Sequence, residues 1–96
     1  MSTFADGVAF IEGAYVPIVQ ARIPILDTGF LRSDLTYDVV HVWHGRFFRL
    51  PEHLARFERN CARLRLRHPY DRDGLTAILM ELVRRSADLA GERLWE

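Results

Sequence analysis

What most limits the fold of this 96-residue chain is a change of hydrophobic period near Pro51. Before it, apolar residues alternate in short segments bounded by turn residues. After it, they recur every three to four positions. Strands written first and helices second define an α+β layer arrangement.

Residues 8–11, the pair Glu12-Gly13 and residues 14–19 read as a hairpin. Residues 37–43 alternate Tyr37, Val39, His41 and Trp43 against Asp38, Val40 and Val42, and His44-Gly45 separates them from residues 46–50. This is a second strand, tight turn and strand. Between the hairpins, Asp27-Thr28-Gly29 marks a turn and residues 31–35 hold a short helical piece.

Pro51 then suits a first helical turn, and Glu52 lies near the positive end of the helix dipole. Leu54, Phe57, Cys61 and Leu64 share one face of that helix. His68-Pro69-Tyr70 breaks it, and Asp71 caps a second helix striped by Leu75, Ile78, Leu79, Leu82 and Val83, with Gly91 after its end. The expected architecture is one domain over residues 1–96, an antiparallel β-sheet with two helices packed on one side. A chain this short buries a modest fraction of its surface and leans on a neighbouring domain or subunit.

Thirteen basic and thirteen acidic residues balance to zero formal charge, which argues against a globally basic nucleic-acid binder. All thirteen basic residues are Arg; with no Lys, no side-chain amine exists to form a Schiff base. The single Cys61 makes no intramolecular disulfide, which fits a reducing, cytoplasmic compartment. No apolar run approaches the roughly 20 residues that span a bilayer.

Taken singly, the polar residues carry little. His41, His44, His53 and His68 lack metal-ligand spacing, so no metal site is expected. Asp34 and Asp38 straddle a helix-to-strand change and read as capping or loop residues. Cys61 reads as a small core residue.

Arg56, Arg59, Arg63, Arg65 and Arg67 form the densest charge cluster, a solvated face partly balanced by Glu52 and Glu58. Arg56, one turn into its helix, is the best placed of them to grip a single phosphate group bidentately. Tyr37 opens a strand after a polar loop, and reads equally as a phenol facing a cleft or as a core tyrosine. Trp43, Phe47 and Phe48 bracket the His44-Gly45 turn as packing residues.

Together these segments stop being anonymous. The run A-R-I-P-I-L-D-T-G-F at residues 21–30, S-D-L-T-Y-D-V at 33–39, W-H-G-R-F-F-R-L at 43–50 and E-H-L-A-R-F at 52–57 resembles the N-terminal lobe of class IV (fold-type IV) pyridoxal-phosphate aminotransferases. The likeness covers nearly the whole chain. Its wording is most similar to the (R)-selective amine transaminase and branched-chain aminotransferase-like branch.

The resemblance implies that Arg56 binds the phosphate of pyridoxal 5'-phosphate, and that Tyr37 and Val39 line the substrate pocket. Arg32 departs from the branch, whose members tend to carry His just before the Ser-Asp pair; it is taken as a substrate-side position. The family's reaction begins on a lysine that lies in the C-terminal lobe, and this chain carries none.

The expected function is therefore that of a transaminase N-terminal lobe, inactive alone. It would be completed by a C-terminal lobe or complementary chain, homodimeric in the whole enzyme and acting on a small amine or amino acid and a keto acid. No nucleic-acid or membrane partner is expected. The alternative is a standalone, non-catalytic interaction or regulatory module that associates with itself or with a complementary lobe.

Overall fold

The computed structural model describes residues 6–90, and of residues 87–90 the backbone alone. Within it, residues 6–22, 42–46 and 70–90 form one compact unit, and residues 23–41 and 47–69 another.

The first unit is built on a hairpin of β1 (Val8–Ile11) and β2 (Ala14–Pro17), paired Val8 with Pro17 through Ile11 with Ala14. Its turn is Glu12-Gly13, with φ of 51° and 82°. Two positive φ values in succession make the turn whose twist matches the strands, and glycine takes the second without steric cost. The chain leaves β2 through a 3₁₀ turn, Ile18–Gln20, whose first amide donates to the Gly7 carbonyl at 2.9 Å.

The long helix of this unit, residues Arg72–Ala90, packs on β1. It starts where Asp71 was expected to cap: Asp71 Oδ1 accepts from the Gly74 amide at 2.7 Å. The stripe Leu75, Ile78, Leu79, Leu82 and Val83 is half-buried throughout. Phe10 lies edge-on to Tyr15 and Tyr70, at 4.9 and 5.8 Å between ring centroids, and the Arg85 guanidinium stands 4.4 Å from the Tyr15 ring centre. Gly91, read as the residue that follows this helix, lies outside the described residues.

The second unit holds two helices. Asp27-Thr28-Gly29 is the start of the first, α1 (Thr28–Arg32), rather than a turn that precedes it. Asp27 Oδ2 accepts from the Phe30 amide at 3.1 Å, so the aspartate that marks a turn in sequence is a helix cap in space. A Cβ at Gly29 would stand 2.8 Å from Asp27 Oδ2, so a larger residue there would displace the capping carboxylate.

The second, α2 (Leu50–Leu64), carries Pro51 in its first turn as expected. It ends before the His68-Pro69 break, at Arg65 in the left-handed region (φ 56°). There the Arg65 amide reaches the Ala62 carbonyl and the Leu66 amide the Cys61 carbonyl. Leu54 and Cys61, 6% and 7% exposed, are the most deeply buried apolar side chains described. Leu64, read on the same face, is 46% exposed. The helix of residues 72–90 is α3 in chain order.

The α+β class is thus observed, with the strands among the described residues in two separate two-stranded antiparallel ladders. The second ladder is much shorter than the sequence pattern. Only β3 (Val42–Trp43) and β4 (Arg46–Phe47) pair, around a His44-Gly45 turn with φ of 49° and 73°. Residues 37–41 nevertheless keep alternating exposed and half-buried. Extended backbone has period two whether or not a neighbour hydrogen-bonds to it, so alternation marks faces and not ladders. Trp43 and Phe48, read as packing residues, are more than half exposed.

Candidate functional site

The site lies wholly within the second unit. A hydrogen bond of 2.8 Å from the Phe48 amide to the His41 carbonyl closes the loop between residues 41 and 48. It brings the extended segment 37–41 beside the first turns of α2. On that helix His53 and Arg56 are three residues apart and share a face. Asp38 meets both.

Arg56 donates from Nε to Asp38 Oδ2 at 2.8 Å and from Nη2 to Asp38 Oδ1 at 2.7 Å, a bidentate fork on a carboxylate. His53 Nδ1 stands 2.7 Å from the same Oδ1. An ionised carboxylate only accepts, so Nδ1 carries a hydrogen and donates it to Asp38. Arg56 Nη2 and His53 Nδ1, 3.3 Å apart, converge on one oxygen.

The Asp38 side chain is 10% exposed and that of Arg56 55%. Hydrogen bonds from Arg56 first, then His53, hold the Asp38 carboxyl far below the usual carboxylate range, and the Asp38 carboxylate raises Arg56 in turn. The Asp38 carboxylate balances the charge of Arg56, while the Nη1 end of Arg56 takes no part in these bonds. A guanidinium held along one edge keeps donors at its other end for the oxygens of an anion.

Because Asp38 is depressed in the folded chain, its contribution to stability is present above the ordinary carboxylate value and lost as pH falls below about 4. The thermal midpoint is expected to drop through that range, and Asp38→Asn to flatten part of the drop. Acid titration of the midpoint for both proteins checks this, and an identical slope in the two would refute it.

The other residues singled out from sequence stand nearby in the chain but outside the cluster. Tyr37 is 77% and Val39 71% exposed, on the face of their segment opposite Asp38. Arg32, exposed, is the last residue of α1. Cys61 is buried, and burial, then Glu58, pushes its thiol up, as befits a core residue and not a nucleophile.

The sequence pattern singles out Arg56 without the two residues that the structure sets against it. Asp38, a loop or capping residue on its sequence context, is forked by Arg56, and His53, which lacks metal-ligand spacing, donates to the same carboxylate. Two signals were present: the three-residue spacing of His53 and Arg56, and the alternation that sets Asp38 apart from Tyr37 and Val39. Among the described residues no three His, Cys, Asp or Glu side chains are grouped to hold a metal ion, and no helix is long and apolar enough to cross a membrane.

A family profile described as Amino-transferase class IV matches residues 35–95, a stretch that contains Asp38, His53 and Arg56. The chain belongs to the class IV aminotransferases. Enzymes of this class work with pyridoxal 5'-phosphate.

Among curated relatives, the D-alanine aminotransferase of Listeria monocytogenes serotype 4b (strain F2365) is 36% identical over 64 residues, 67% of this chain and 22% of that protein. The D-alanine aminotransferase of Staphylococcus haemolyticus is 27% identical over 75 residues, 78% of this chain and 27% of that protein. That of Staphylococcus aureus (strain N315) is 28% identical over 74 residues, 77% and 26%. The matched part of this chain thus spans about a quarter of the length of each of these relatives.

The donor set at Arg56 suits the phosphate end of such a cofactor: a permanent cation, more than half exposed, with one edge fixed and the other end open. The chain offers nothing for the aldehyde end, since it contains no Lys.

Proposed function

We propose that this chain, as one lobe over residues 1–96, is the N-terminal part of a pyridoxal-phosphate transaminase that passes an amino group between an amine or amino acid and a keto acid. The observation that carries the reading is Arg56, held as an oriented, half-exposed cation within the stretch matched to class IV aminotransferases. When bound, pyridoxal phosphate supplies the carbonyl and the electron sink on which the amino group is exchanged. Arg56 anchors its phosphate. Tyr37 and Val39, both largely exposed on one face of their segment, form a wall of the substrate cavity, with Arg32 on the substrate side.

The lysine comes from polypeptide outside these residues, and the complete enzyme is a cytoplasmic homodimer. Ile23, Ile25, Leu26, Phe30, Leu31 and Leu35, each more than half exposed, support a lobe that is covered in that assembly. The relatives' names make D-alanine the first amino donor to assay, beside a simple chiral amine for the branch that the motif wording resembles.

Alone, the chain does not transaminate. Borohydride reduction with pyridoxal 5'-phosphate, followed by peptide mass mapping, is expected to place the trapped adduct on no side chain of residues 1–96. An adduct on any of them overturns the reading. The lack of Lys also favours a second reading, a non-catalytic module that pairs with itself or a complementary lobe. The intact mass of the native gene product separates the two: about three times 11.2 kDa for a transaminase, 11.2 kDa for a module.

A further inference from the structure

Asp38 is an odd neighbour for a phosphate anchor. A carboxylate beside an anion-binding cation repels the anion, and it occupies two of the five guanidinium donors. Yet it is nearly covered, forked by Arg56 and held by His53 Nδ1, all at 2.7–2.8 Å. Arg56 projects from α2 on a long flexible stem, and on an exposed helix face such a side chain samples many rotamers. The fork removes that freedom. It also consumes the Nε–Nη2 edge, which is the edge an unrestrained arginine would turn to an oxyanion.

We propose that Asp38, buttressed by His53, is a positioning residue that fixes Arg56 so that its Nη1 end meets the cofactor phosphate. Asp38 thereby trades raw anion affinity for a set place of that phosphate. This rests on Arg56 being the phosphate anchor. A phosphate attached to a ring that must also fit elsewhere gains from a fixed guanidinium, whereas a free phosphate ion follows the guanidinium wherever it goes. The consequence is a difference between two ligands rather than a change in one.

The test uses the native gene product freed of cofactor, and the ratio of its affinities for pyridoxamine 5'-phosphate and for inorganic phosphate. The first probe carries an amine in place of the aldehyde and binds without a covalent bond. Asp38→Asn keeps the size of the side chain, removes its charge and breaks the double acceptance; it is expected to lower the ratio roughly ten-fold. His53→Ala leaves the ion pair and removes only the buttress. It is expected to lower the ratio several-fold, and serves as the second arm if the Asn variant does not fold.

A purely structural Asp38 would reduce the folded fraction and scale both affinities alike. A purely electrostatic one would raise both together when neutralised. In either case the ratio stays at its wild-type value, and the proposal is overturned. If Arg56→Ala also leaves the ratio unchanged, the assignment of Arg56 itself fails and takes this inference with it. A fall for Arg56→Ala with none for Asp38→Asn or His53→Ala removes the positioning role alone.

Discussion

Arg56→Ala is expected to weaken retention of pyridoxal 5'-phosphate about 100-fold, with little change in the order of preferred amino donors. Two charge-assisted hydrogen bonds to a phosphate account for a loss of that size. A second effect adds to it. Asp38 is ionised at working pH and forked by Arg56. Without the guanidinium it keeps only His53, and a bare carboxylate then faces the phosphate site.

Arg56→Lys restores the charge but not the fork, so it is expected to recover part of the affinity and not all. The donor order changes little because Tyr37 and Val39, proposed to face the substrate, lie on the other face of the 37–41 segment. Equilibrium titration of the cofactor-free protein, beside initial rates with several donors, measures both. Cofactor affinity equal to wild type would make Arg56 an ordinary surface residue tied to Asp38.

What the sequence revealed follows from the range over which each signal acts. The Glu12-Gly13 hairpin was legible because a two-residue turn with two positive φ values fixes its register by itself. The two long helices were legible because Pro51 and Asp71 punctuate their starts and the 3.6 period runs through them. The second hairpin is shorter than its sequence pattern, since period two survives in residues 37–41 without a ladder.

At the candidate site, Arg56 stands out in the sequence as a single residue type at one helical position, its role there a proposal. Its partners do not. Asp38 is 15 and 18 residues from His53 and Arg56, and the alternation in Tyr37-Asp38-Val39 separates two faces without saying which of them turns inward. That choice was made by the loop closed between His41 and Phe48, a tertiary event.

Leu54→Ala is the second substitution expected to matter, lowering unfolding stability by about 2–4 kcal/mol. Leu54 is 6% exposed, on the helix that carries His53 and Arg56, and with Cys61 it is the most deeply buried apolar residue described. Truncating it removes three carbons from a packed site and leaves a cavity that neighbours fill only in part. Domains of this length have roughly 5–10 kcal/mol in total, so a loss of this size is a large share.

Leu64 provides the contrast. It lies on the same apolar face, one residue before the left-handed Arg65, and is 46% exposed. Leu64→Ala is expected to cost under about 1 kcal/mol, because little of its surface leaves water on folding. Urea unfolding of the two variants, followed by circular dichroism, gives both numbers. Equal losses would mean that Leu64 is covered by polypeptide beyond the described residues, as a lobe seated in a larger enzyme requires. A small loss at Leu54 would mean that α2 is not anchored through its buried face and that the fork on Asp38 holds it in place.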